Sequence, residues 1–107
     1  MNSTTTRALL AKAAIKKWDI HHLDVIMAYL NSPLPESEVI YMGLPKKLLR
    51  EVSPRVVQLR KALYGLRQSG YLWNQLMTDF LISTSCKQCI SDPCLFVNEQ
   101  KEIYLGL

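Results

Sequence analysis

Between Arg67 and Leu81 the apolar residues Leu72, Trp73, Leu76, Met77, Phe80 and Leu81 recur at i, i+1, i+4, i+5, i+8 and i+9. That spacing draws a broad apolar stripe along one side of a helix, with Asn74, Gln75, Thr78 and Asp79 on the other. A helix so marked has to bury its stripe against a second layer. The rest of the chain offers only short pieces for that layer. Residues 39–42, 55–59, 94–97 and 102–105 are β-branched, aromatic or apolar runs bounded by turn-forming residues, and each reads as a strand. Asn98-Glu99-Gln100-Lys101 suits a hairpin between the last two. The expectation is α+β, with helices packed on one face of a small antiparallel sheet.

A first helix is expected to start from a cap at Ser3 or Thr4 and to continue through Lys17, since Ala and Leu are strong helix formers. Lys16 and Lys17 complement the dipole at its end, and Leu10, Ala14 and Trp18 would form its stripe. Residues 20–25 read as a short strand carrying Asp24 near its end. Pro33 and Pro35 each fix φ and remove a donor, which stops regular structure there. Residues 45–53 form a basic stretch, read as a loop with a helical turn. Ser91-Asp92-Pro93 is a turn, with Asp92 as its former.

At 107 residues the chain is one domain at most, 1–107, and a domain of that size is only marginally stable. A net charge of +4 with pI ≈ 9.1 leans toward a polyanionic partner such as nucleic acid. No apolar run approaches the ~18 residues that cross a bilayer, so no membrane partner is expected. The first eighteen residues, rich in Thr and Lys with no acid before Asp19, read either as a transit peptide or as an ordinary amphipathic helix. Three cysteines, Cys86, Cys89 and Cys94, cannot all pair with one another, and nothing before them reads as a secretory signal. An intracellular, cytoplasmic or nuclear, setting with reduced thiols is expected over secretion. Cys86, Cys89 and Cys94 are spaced somewhat like a zinc knuckle, but a closed zinc site needs four ligands and no His follows Cys94; zinc is not expected. His21 and His22 read as a strand-entry pair.

Asp24 stands among Leu23, Val25, Ile26 and Met27, where a carboxylate is costly to bury unless a cation meets it. A divalent metal is one such cation, and an exposed strand-end Asp is the alternative. Gly65 permits a turn that other residues would strain, and Arg67 and Gln68 open the long helix after it. A helix N-terminus beside a cation attracts phosphate; the same pattern also serves as a plain structural junction.

Four motifs in order carry a resemblance. Asp24-Val25-Ile26-Met27-Ala28-Tyr29-Leu30-Asn31, then Glu38-Val39-Ile40-Tyr41-Met42, then Leu63-Tyr64-Gly65-Leu66-Arg67-Gln68-Ser69, then Ser91-Asp92-Pro93-Cys94-Leu95-Phe96 resemble the reverse transcriptases of Ty1/copia-type retrotransposons. The family patterns are Asp-Val-Lys-x-Ala-Phe-Leu-Asn-Gly, Val-Tyr-Met, Leu-Tyr-Gly-Leu-Lys-Gln-Ser/Ala and Ser/Ala-Asp-Pro-x-Leu-Phe. The likeness runs from about Thr5 to Leu107. Ile26 stands where Lys is usual, Gly70-Tyr71 replace Pro-Arg, and residues 43–54 are basic in place of a Pro-Gly-Phe stretch.

The resemblance implies part of the fingers and palm of a polymerase right hand. It makes Asp24 the first metal-binding, catalytic carboxylate, with Mg²⁺ as cofactor. Val25, Ala28, Tyr29 and Gln68 become substrate-binding residues, with Tyr29 under the incoming sugar and Gln68 on the incoming nucleotide. Arg67 lies near the nucleic acid. The implied partners are an RNA or DNA template-primer and a deoxynucleoside triphosphate. The family's Tyr-x-Asp-Asp turn, which would follow a strand like residues 102–105, is not in the sequence. A reverse transcriptase fragment, inactive alone, is therefore expected. The alternatives are a residual or domesticated nucleic-acid-binding module, and a functionless relic whose last strand has an unpaired apolar edge.

Overall fold

The computed structural model describes residues 1–48 and 56–107, so part of the basic stretch 45–53 and Arg55 of the expected strand lie outside the described residues. The described chain forms helices α1 (Ser3–Lys16) and α2 (Ser69–Ser83) and strands β1 (Tyr41–Gly43), β2 (Val56–Gln58), β3 (Lys87–Gln88), β4 (Leu95–Asn98) and β5 (Ile103–Gly106). It is α+β with antiparallel pairings, as expected. It divides into two compact units: residues 1–24 with 76–107, and residues 25–75.

The first unit is built on the sheet β3-β4-β5. Register sets Phe96 opposite Leu105 and Val97 opposite Tyr104. Side chains alternate across a sheet, so Phe96 and Leu105 share one face and Tyr104 takes the other. Phe96 is fully buried in a cluster with Leu81 of α2 and Cys86, and Leu105 packs against it. On the opposite face Trp18, just past α1, stacks on Tyr104 with ring centroids 4.9 Å apart. Lys12 of α1 donates to the Tyr104 hydroxyl at 2.8 Å. The two helices thus contribute to opposite faces of this sheet, where one face had been expected to take both. The cause is the alternation of Tyr104 and Leu105, each of which finds an apolar or aromatic partner.

Helix α1 starts one residue earlier than expected. Asn2 is its cap, accepting from the Thr5 N–H at 2.7 Å. It ends at Lys17, in the left-handed region with φ 56°, where the Trp18 N–H reaches back to the Ala13 carbonyl at 2.9 Å. Ala13 is its buried residue; Leu10 and Ala14 of the expected stripe are exposed. Asp92 forms the expected turn by accepting from the Cys94 N–H at 3.0 Å. Its other oxygen accepts from the Asn2 N–H at 3.0 Å, so it also tethers the start of α1. Strand β3, unforeseen in the polar pair Lys87-Gln88, pairs with Phe96 and Val97.

The second unit pairs β1 with β2, Tyr41 opposite Gln58 through Gly43 opposite Val56. A bridge between Pro33 and Lys61 extends the contact, with the Ala62 N–H donating to the Ser32 carbonyl at 2.9 Å and the Leu34 N–H to the Arg60 carbonyl at 3.0 Å. Residues Ala28–Asn31 make one 3₁₀ turn, entered through Met27 at φ 54°. The expected strand at 20–25 is not formed. Leu23 is 83% exposed there, and no strand among the described residues pairs with this segment; a strand is held by its ladder, whatever its propensity.

A candidate nucleotide site around Tyr29 and Gln68

Gly65 has φ 95°, a conformation glycine adopts at little cost. The turn it allows brings the chain into α2 at Ser69. The Ser69 hydroxyl, fully buried, donates to the Leu63 carbonyl and closes that turn. Gln68 sits just ahead of the helix, half-buried, and its Nε2 donates to Glu38 Oε2 at 2.9 Å. The Leu72 N–H takes the Gln68 carbonyl at 3.0 Å, so the backbone here is fixed by the helix start. Arg67 is exposed.

Tyr29 lies on the 3₁₀ turn with Ala28, both half-buried. Its ring meets Tyr64 at a centroid distance of 4.6 Å and a tilt of 40°. A side chain at Gly70 would come within 3.7 Å of the Tyr29 hydroxyl. Residues 29, 64, 68 and 70 share one unit, and the two motifs that contribute the first three are held close by Tyr29–Tyr64 and the bridge at Pro33. Val25 begins the same unit and is exposed. Asp24 ends the other unit, exposed, in the irregular segment before the 3₁₀ turn. Glu38 and Tyr64 were not singled out as site residues from the sequence. Tyr64 stood inside a motif that was read for its glycine, and Glu38 carries no signal until its partner is known.

Asp24 can supply one ligand to a magnesium ion, which keeps several waters and takes one or two carboxylates. A two-metal centre needs more carboxylates converging on ions ~4 Å apart. Among the described residues no group of three or more His, Cys, Asp or Glu side chains gathers to hold a metal. The residues described fit one corner of such a centre, and no chemical step is derived through a metal. Nor does any helix among the described residues have the length and apolarity to cross a membrane.

The family described as reverse transcriptase (RNA-dependent DNA polymerase) matches residues 1–107. The chain belongs to that family. Its relatives make it copia-type. It is 35% identical over 98 residues to the Retrovirus-related Pol polyprotein from transposon RE1 of Arabidopsis thaliana, covering 91% of this chain and 6% of the relative. It is 33% identical over 102 residues to the Retrovirus-related Pol polyprotein from transposon TNT 1-94 of Nicotiana tabacum, covering 92% of the chain and 7% of the relative. It is also 33% identical over 101 residues to the Transposon Ty1-BL Gag-Pol polyprotein of Saccharomyces cerevisiae, covering 90% and 5%. This copia-type reverse transcriptase chain thus spans between 5% and 7% of the length of these relatives. No solved structure matches it.

Proposed function

We propose that residues 1–107 are one partial domain from the fingers and palm of an RNA-directed DNA polymerase, and that residues 25–75 present the incoming nucleotide. Tyr29 packs under the sugar, where its ring leaves no room for a 2′-hydroxyl. Gln68 contacts the nucleotide, and Val25 and Ala28 flank it. Arg67, exposed beside a helix start, draws phosphate of the template-primer. Asp24 supplies one carboxylate to Mg²⁺. One observation carries the reading: the two sequence motifs assigned to the nucleotide share one unit, joined through Tyr29 and Tyr64.

With one assigned metal carboxylate, the chain by itself is not expected to polymerise. Magnesium-dependent extension of a primed RNA template by this chain, abolished by Asp24→Asn, would refute that expectation. The nucleotide reading has its own test in calorimetric titration with magnesium. Wild type should bind dTTP several-fold more tightly than its ribose counterpart, and Tyr29→Ala should erase the preference; equal binding of the two by wild type removes Tyr29 from this role.

The net charge of +4 favours a second reading, a non-catalytic nucleic-acid-binding module. Such binding would weaken steeply with salt. RNA affinity that does not change between low and moderate salt would exclude it.

A further inference from the structure

We infer that Glu38 is a positioning residue that fixes which end of the Gln68 amide faces a bound nucleotide. Resting on the nucleotide reading of residues 25–75, the inference goes beyond it by naming what orients that site's amide. A glutamine amide has a donor end and an acceptor end of almost the same shape, and rotation by half a turn exchanges them. A carboxylate accepts and cannot donate. Glu38 Oε2, 2.9 Å from Gln68 Nε2 in a half-buried contact, therefore admits only the amide's donor end. The Gln68 side-chain oxygen, Oε1, is then the amide's acceptor end, and no hydrogen bond among the described residues takes it. At that oxygen the site then receives a hydroxyl or N–H from its ligand, while the second Nε2 proton is the one donor the amide keeps. A bond to a charged partner is stronger than a neutral one, which suits it to hold a side chain that has another job.

The role has an electrostatic cost that makes it separable from general support. Glu38 adds a negative charge near a site proposed for a triphosphate, and like charges repel. Removing it should help a bare polyanion while harming a ligand that needs the oriented amide.

The test is titration of the chain with dTTP and, separately, with inorganic triphosphate, both with magnesium, for wild type, Glu38→Ala and Glu38→Gln. Glu38→Ala is expected to weaken dTTP about fivefold or more, the worth of a well-placed hydrogen bond, with inorganic triphosphate bound as tightly or tighter. Glu38→Gln keeps the shape and one acceptor, so its dTTP loss falls between. In the side-chain amide region of the ¹H–¹⁵N spectrum, the two Gln68 Nε2 protons draw together in Glu38→Ala as the amide is released. Parallel loss of both ligands would mean ordinary structural damage and would overturn the inference. So would dTTP affinity unchanged in both variants, an outcome that leaves the nucleotide reading standing. No saturable dTTP binding by wild type overturns the nucleotide reading and this inference with it.

Discussion

The two units of this chain are held together by different physics. Residues 1–24 with 76–107 centre on Phe96, Leu81 and Cys86, with Leu105 packed against them and a three-stranded sheet beneath. Residues 25–75 carry a two-stranded sheet whose residues are largely exposed, and the buried positions among the described residues there are Ser32, Ala62 and Ser69. The first unit rests on apolar burial, the second on backbone hydrogen bonds and polar side chains around tight turns. Among the described residues, the Ser32 hydroxyl is buried without a hydrogen-bond partner, a cost found in the second unit. Among the described residues, the unit proposed to hold the nucleotide is thus the one with less apolar burial, as expected of a region that must present polar groups to a ligand.

The comparison breaks most readily at Phe96. Its ring is fully buried, so Phe96→Ala removes the transfer free energy and leaves a cavity, about 3–5 kcal/mol in cores generally. Against the stability of so small a unit, that is most of what there is. Amide exchange should show protection lost across β3, β4 and β5. If those strands stay protected, apolar burial is not what holds this unit.

What the sequence made legible follows the same division. The hairpin 94–105 and most of the stripe from Leu72 to Leu81 are readable because burial imposes a period on residue choice, but Phe80 of that stripe is exposed and only Leu81 is fully in the core. Ile20 and Val25 give residues 20–25 the composition of a strand, but a ladder depends on a partner elsewhere, and none pairs there among the described residues. Ser3 or Thr4 is the expected cap of α1, but Asn2 caps it; three adjacent residues can all cap, and the sequence does not show that Asp92, ninety residues away, also holds the Asn2 N–H. The motifs around Tyr29 and Gln68 were legible as text through the resemblance. Their pairing with Tyr64 and Glu38 was not, since an aromatic contact and a single hydrogen bond leave no periodic trace.

A middle-sized effect is expected at Gly65→Ala. No atom lies within 4 Å of the position a Cβ would take, so the cost is purely that of φ 95°, about 1–2 kcal/mol for a residue with a side chain. The turn before α2 should loosen, with exchange at the Ser69 and Leu72 amides rising more than at β4 and β5. If the β4 and β5 amides respond equally, the two regions are not separable in the way their packing suggests.

The smallest expected effect sharpens the comparison from the polar side of the first unit. The Asn2 backbone N–H, then the Thr5 hydroxyl, and the Cys94 N–H hold the Asp92 carboxyl below the usual carboxylate range against the opposing pull of desolvation. A carboxylate depressed in the folded state binds fewer protons there than in the unfolded chain. Its contribution is therefore complete above the unfolded value and is lost as pH falls through the lower, folded one. Asp92→Asn keeps the carbonyl acceptor and loses the charge, so its stability should not change with acid on this account. Chemical denaturation followed at the Trp18 fluorescence in a Trp73→Phe background should show the chain with Asp92 the more stable near neutrality, with the gap closing as the solution is acidified. A gap that holds constant to low pH would mean that the tether at Asn2 works through geometry alone. The Asp92 charge would then add nothing beyond its hydrogen bonds, and the contrast with residues 25–75 would rest on the cluster around Phe96 alone.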